Sequence, residues 1–260
     1  MDYKACGGVL QNISQRAAYS YLISLSEFTF VLPEGSDPAR QAEIEAAQRD
    51  LHAFFGAFYQ TLFDQPEAFG LPLSADDSWD ADEPHGKERK QEVTKKLKKP
   101  KELIEKALDF LRSAALNGRI EGQSLLLGPE EAAALKKSKP LRGFVQGMEI
   151  AGLRLADGEP PALTCTRFTA MLPALQTLTA ACAQNPSPEL GRFHFARCDF
   201  RALRKGFQPE VLELYHIFGA DDFSRLAEVH EYYLHNGYKP ELHIHDVSTW
   251  LVQYQGSKKI

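Results

Sequence analysis

The chain has 260 residues, 43% of them apolar and 25% charged, with a formal net charge of −5. That length holds one large domain or two ordinary ones, and the composition is that of a globular protein. The mild negative balance argues against bulk affinity for nucleic acid or membrane, and no apolar run approaches the roughly 18–20 residues of a membrane span.

Residues 9–32 mix aromatic and aliphatic side chains: the first part suits a helix, and FTFVL before Pro33 suits a strand. Ser36-Asp37-Pro38 is a helix start, with the proline in the first turn where its missing N–H is harmless. Ile44, Leu51, Phe54, Phe55, Phe58 and Leu62 then recur at helical spacing and predict a helix ending near Phe63.

A polarity switch follows. Seven carboxylates fall between Asp64 and Glu83, and no lysine or arginine stands between Asp50 and Lys87. The run Lys87 to Lys106 then carries nine basic and four acidic residues. This predicts a charged linker over 64–99 and a second helix from about Pro100, closed by Asn117-Gly118.

A short helix over Pro129–Lys137 and a further one from about Leu141 to Ile150 come next. Two β-prone segments flank a turn at Asp157-Gly158, and Phe168 to Ala183 is again helical. After QNPSPELG comes a basic, aromatic stretch over 192–206, then helices from Pro209 and Asp221 and a strand, TWLVQY. A two-stranded hairpin alone is marginal. This strand is therefore expected to join a larger sheet, or the polypeptide to be truncated.

The order helix, helix, turn, helix, hairpin over 100–166 is that of a winged helix-turn-helix unit, whose third helix enters the DNA major groove. Its phosphate-contacting candidates are Lys136, Lys137, Lys139 and Arg142, with Arg154 in the wing and the Lys95 to Lys101 run nearby. From Lys87 to Arg142 fifteen basic residues face eight acidic ones, and such an excess attracts polyanions through counterion release. The same lysines equally make a solvated face or a protein-contact surface, and LRGFVQGMEIAG offers few base-reading side chains.

A second anion or partner site is expected around Arg192, Arg197, Arg201, Arg204 and Lys205. Within that stretch His194 and Cys198 stand four apart, and a cysteine among cations suits a nucleophile of lowered pKa. A buried core cysteine is the plainer reading. The four cysteines, Cys6, Cys165, Cys182 and Cys198, form no CxxC pair, so reduced thiols in a cytoplasmic protein are expected.

HEYYLH fails as a zinc-protease motif, because residues five apart lie about 140° apart around a helix. His243 and His245 alternate, so on a strand they share a face and, with His235 or Asp246, suit a borderline metal. No cofactor is expected: GxGxxG, P-loop and GxSxG patterns do not occur.

FHFARCDFRAL, then HEYYLHNGYKPEL, then WLVQYQGSKKI resembles an uncharacterised bacterial family, chiefly of clostridia-like organisms. The resemblance covers roughly the last hundred residues and implies no activity. It implies that more strand follows the final segment.

The sequence thus predicts a mainly helical α+β fold. Its expected parts are an N-terminal helical region (1–63), a linker (64–99), a winged-helix-like helical domain with a hairpin (100–185) and a C-terminal region (186–260) able to share its core. The leading function is a non-catalytic cytoplasmic binding or regulatory module, with a protein partner ahead of nucleic acid and no membrane. The alternatives are winged-helix DNA binding, or an enzyme using Cys198 with His194 or a metal at His243 and His245.

Overall fold

The computed structural model describes residues 13–72, 87–215, 220–247 and 249–256. It is mainly helical, with two small antiparallel sheets. Helix α1 (Ile13–Ser24) is followed by an extended passage rather than a strand. FTFVL has no strand partner among the described residues, and a side chain bonds its backbone instead. The Gln48 amide accepts from the Val31 N–H at 3.2 Å and donates to the Val31 carbonyl at 2.7 Å.

A 3-10 turn over Pro38–Arg40, capped by the Asp37 carboxylate, leads into α2 (Gln41–Asp64). Phe54, Phe55, Phe58, Tyr59 and Leu62 of α2 are wholly shut off from water. Phe54 meets Phe168, Phe55 meets Phe195, and Phe58 meets both Phe69 and Phe144, all at ring-centroid distances of 5.5–6.2 Å. These contacts put α2 at the centre of the molecule.

Helix α3 (Lys87–Asn117) begins well before the expected start and carries Pro100 in its interior. Proline suits a first turn, which made Pro100 resemble a start; inside a helix it removes one intrahelical bond and its ring crowds the preceding turn. Good helix formers on both sides join the two halves. Lysines at 95, 96, 98 and 99 are exposed, whereas Ile104, Ala107, Leu108, Leu111 and Ala114 are buried. The expected linker over 64–99 is therefore helical from Lys87. Its first residues form a 3-10 turn (Pro66–Phe69) whose Phe69 is fully buried. The acidic run over 73–86 lies outside the described residues. One apolar core runs from Ala17 to Phe200, across the boundaries expected at 63 and 99, and includes Val247.

Strands β1 (Arg119–Glu121) and β2 (Ser124–Leu126) form a hairpin the sequence did not announce. Then come α4 (Pro129–Lys137), α5 (Lys139–Gly147), β3 (Leu153–Ala156) and β4 (Ala162–Cys165). The sheet order is β1-β2-β4-β3, antiparallel throughout, and its leucines Leu125, Leu153 and Leu163 are fully buried.

Helices α6 (Met171–Ala183) and α7 (Pro188–Ala196) close the core, followed by α8 (Val211–Tyr215) and α9 (Ala220–His235). TWLVQY pairs with the segment before it: β5 (Tyr238–Asp246) and β6 (Thr249–Gly256) make a separate two-stranded sheet. Tyr233 of α9 stacks on Tyr254 at 4.4 Å, and His230 Nδ1 lies 2.6 Å from the Tyr254 hydroxyl.

Two glycines give opposite expectations. A methyl at Gly191 would collide with the Cys182 carbonyl oxygen where α6 and α7 cross, whereas one at Gly143 in α5 meets nothing within 4 Å. Gly191→Ala should lose about 1–3 kcal/mol in urea unfolding, and Gly143→Ala should gain up to about 1 kcal/mol.

Candidate functional site

Ser138 ends α4 and starts α5. Its N–H donates to the Ala134 carbonyl at 3.0 Å, and its hydroxyl accepts from the Leu141 N–H at 3.3 Å. This double cap makes a tight corner that gathers Lys136, Lys137 and Lys139 within four residues. All three are exposed, and none has a carboxylate within ion-pair distance among the described residues. Lys139 occupies the first position of α5, at the positive end of the helix dipole, where a cation is locally disfavoured.

The corner is anchored from beneath. Glu131, 2% exposed, accepts from the Ser113 hydroxyl and from Asn117 Nδ2 at 2.9 Å, fastening α4 to the end of α3. Burial pushes its carboxyl up, but the Ser113 and Asn117 hydrogen bonds outweigh this and hold it below its ordinary value.

Beside the corner lies a groove of about 510 Å³ between α4 and the loop joining β3 to β4. Its apolar surface comes from Leu127, Leu135, Leu155, Pro129, Pro160 and Pro161, while Lys136 and Arg142 stand on the rim with Asp157 and Glu159. Two expected phosphate contacts are already engaged. Arg142 reaches Asp157 at 3.0 Å, and Arg154 reaches Glu149 at 3.6 Å.

The expected basic face over 192–205 does not assemble. Arg192 pairs with Asp109 at 3.3 Å, in a cleft of about 130 Å³ whose arginines Arg112 and Arg192 are offset by Glu105, Asp109 and Glu189. Arg197 is 2% exposed, its guanidinium 4.9 Å from the Phe193 ring centroid. Arg201 donates from two nitrogens to both Asp199 oxygens at 2.9 Å and also bonds Glu213. Arg204 and Lys205 are exposed there, as is the ion-paired Arg192. The alternation of CDFR with aromatic residues comes from a buried ionic cluster rather than a binding surface.

Cys198 is the stop of α7. The Asp199 N–H donates to the His194 carbonyl at 3.0 Å and the Cys198 N–H to the Phe195 carbonyl at 2.9 Å, the paired bonds of a Schellman motif. Cys198 takes the left-handed position, φ 50°, that glycine usually fills. The thiol is 1% exposed, and burial, with help from the Asp199 charge, pushes its pKa well above normal. The expected lowering by neighbouring arginines fails because those cations are committed to carboxylates or turned onto aromatic rings.

Asp199 is 1% exposed. Burial alone would raise its carboxyl, but His194 and the Arg201 guanidinium together hold it well below the usual carboxylate range. Of these the Arg201 pair is the tighter, since His194 Nδ1 stands 3.6 Å away, beyond hydrogen-bond length.

The two expected metal ligands part company. A register shift between Ile244 and Asp246 puts a bulge at His245 and breaks the alternation on which a shared face depends. His243 lies 3.7 Å from Glu241, while His245 lines the Arg192 cleft. Among the described residues no three His, Cys, Asp or Glu side chains gather as a metal site. None of the described helices is long and apolar enough to cross a membrane.

No protein-family model, curated protein or solved structure matches the chain.

Because the folded-state pKa of Asp199 is depressed, its stabilisation is present above the ordinary aspartate value, near 4, and is lost as pH falls below it. Asp199→Asn should cost about 3–5 kcal/mol at pH 7 and flatten the loss of stability below about pH 4, both read from urea unfolding. Cys198 should resist iodoacetamide in the native protein at pH 8 and label only on unfolding, as followed by mass spectrometry; rapid native labelling would restore the nucleophile reading.

Proposed function

We propose that the protein is a cytoplasmic, non-catalytic binding module that grips an acidic segment of a protein partner at the α4–α5 corner. The observation that carries this is the group of three exposed, unpaired lysines, Lys136, Lys137 and Lys139, beside an apolar groove. On α3, Lys96 and Lys98 pair with Glu92 and Glu102. Here the nearby carboxylate Asp157 pairs with Arg142 instead. A segment with carboxylates next to leucine-like side chains would satisfy both the lysines and the groove, with rim charges setting specificity and encounter rate. The resemblance of the last hundred residues to an uncharacterised bacterial family adds no activity to this reading.

A second reading, winged-helix DNA binding, is favoured by topology. Three helices, α3, α4 and α5, accompany the strand order β2-β4-β3, with a loop at Asp157 in the position of a wing. Against it, Arg142 and Arg154 are held by carboxylates, and the outward positions of α5 include Gly143 and Gln146, a thin base-reading set.

Fluorescence anisotropy separates the two. A labelled peptide of alternating glutamate and leucine should bind, and Lys136→Glu, Lys137→Glu and Lys139→Glu combined should weaken it at least about tenfold. Arg142→Ala should leave peptide binding within about twofold. A mixed-sequence DNA duplex binding more tightly than the peptide, with steep salt dependence, would replace the first reading with the second.

A further inference from the structure

Four strands form the outer edges of the two sheets among the described residues, and three of them are blunted. Strand β1 has three residues, two of them the ion-paired Arg119 and Glu121. Strand β3 has four, with Arg154 inside it. Strand β5 carries Lys239, Pro240 and Glu241, bulges at His245 and has α7 packed against it. Short length, charge, proline and bulges are the devices by which proteins prevent strands from adding to an edge.

Strand β6 has none of them. It runs for eight residues, TWLVQYQG, without a charge or a proline, and its own side of the ladder with β5 holds no strand of the described residues. The unit it belongs to is also where apolar surface collects. Among the described residues, five of the seven large apolar residues most exposed to water, Val229, Tyr232, Leu234, Tyr238 and Leu251, lie on α9, β5 and β6. A two-stranded sheet is marginal by itself, whereas three or more strands with an apolar face are stable.

We propose that β6 pairs antiparallel with the β6 of a second copy, giving a twofold dimer with a continuous four-stranded sheet. A second copy fits because an uncharged strand meets itself without like-charge repulsion, and a twofold contact needs a self-complementary surface. The alternation also sets the register. Val252 and Tyr254 share the face that α9 covers, since Tyr254 touches Tyr233 and His230. Antiparallel partners keep apolar beside apolar when the axis passes at Val252. Val252 then faces its copy, Trp250 faces Tyr254 of the copy, and Leu251 faces Gln253 of the copy on the outer face. This contact is remote in sequence from the lysine corner and does not depend on it.

Light scattering behind size exclusion tests the dimer on the full chain. The wild type should run at twice the 29.1 kDa chain mass. Leu251 and Gln253 are both exposed, so charges there are tolerated by a monomer. The double change Leu251→Lys with Gln253→Lys should give the monomer mass, and so should Leu251→Glu with Gln253→Glu. Mixing the two variants should bring back the dimer mass, because the opposite charges now face each other across the seam. A wild type that stays at the monomer mass up to high micromolar concentration would overturn the proposal. So would a dimer that survives either double change, or a mixture that stays monomeric.

Discussion

On α2, the side chains of Phe54, Phe55, Phe58 and Tyr59 span an arc of about 140° around the helix, and each is wholly buried. No single neighbour covers so wide a surface, so five segments converge on it, each with a ring. Tyr21 comes from α1, Phe69 from the turn after α2, Phe144 from α5, Phe168 from the β4–α6 connection and Phe195 from α7. The Tyr59 hydroxyl adds direction to this packing by donating to the Ala196 carbonyl at 2.6 Å. Burial pushes its pKa well up, so it stays a neutral donor. The α4–α5 corner inherits its position from here, because Phe144 is the buried foot of α5.

The distribution of cations over the surface follows from who finds a carboxylate first. Arg192, Arg142, Arg154 and Arg201 each reach one within 4 Å, and the guanidinium fork suits such fixed pairing. Lys136, Lys137 and Lys139 sit at a corner where α4 carries two carboxylates in its first turn, Glu130 and Glu131, and Glu131 points inward to Ser113 and Asn117. Turning that acid into the core leaves positive charge outside, beside the groove. The arrangement is asymmetric in the way a contact surface needs: a fixed floor of leucine and proline next to mobile, hydrated ammonium groups.

What could be read from the sequence was set by how local the determining physics is. The spacing of Phe54, Phe55, Phe58 and Leu62 reports the central helix directly, and Pro129 to Lys137 likewise marks its own ends. Val31 was legible as extended, but its partner is the side chain of Gln48, which no strand pattern encodes. Pro100 misled because proline is equally at home in a first turn and tolerable inside a helix of strong formers. The lysines of the corner were legible as candidates, since each lies next to a helix end. Their distinction from Arg142, Arg154, Arg197 and Arg201 was not, because it depends on carboxylates and rings brought up by folding. Cys198 shows the same limit: arginines near it in sequence suggest activation, while the fold places the thiol in a dry helix stop.

The bonds that finish the end of α7 reach far back along the chain. Ser26 donates through both its N–H and its hydroxyl to the Arg197 carbonyl, 171 residues away, each at 2.9 Å, and the Tyr59 bond to Ala196 spans 137. A ribosome adding roughly 5–20 residues per second needs on the order of 7–27 s to travel from Tyr59 to Ala196. Throughout that interval Phe55 and Tyr59 exist without the α7 surface that covers them. The nascent chain therefore carries an aromatic stripe in the open for most of its synthesis, and the molecule's centre is completed only when residues near 200 emerge. Such a protein depends during synthesis on whatever shields apolar helices in its cell, although its finished fold keeps that stripe dry.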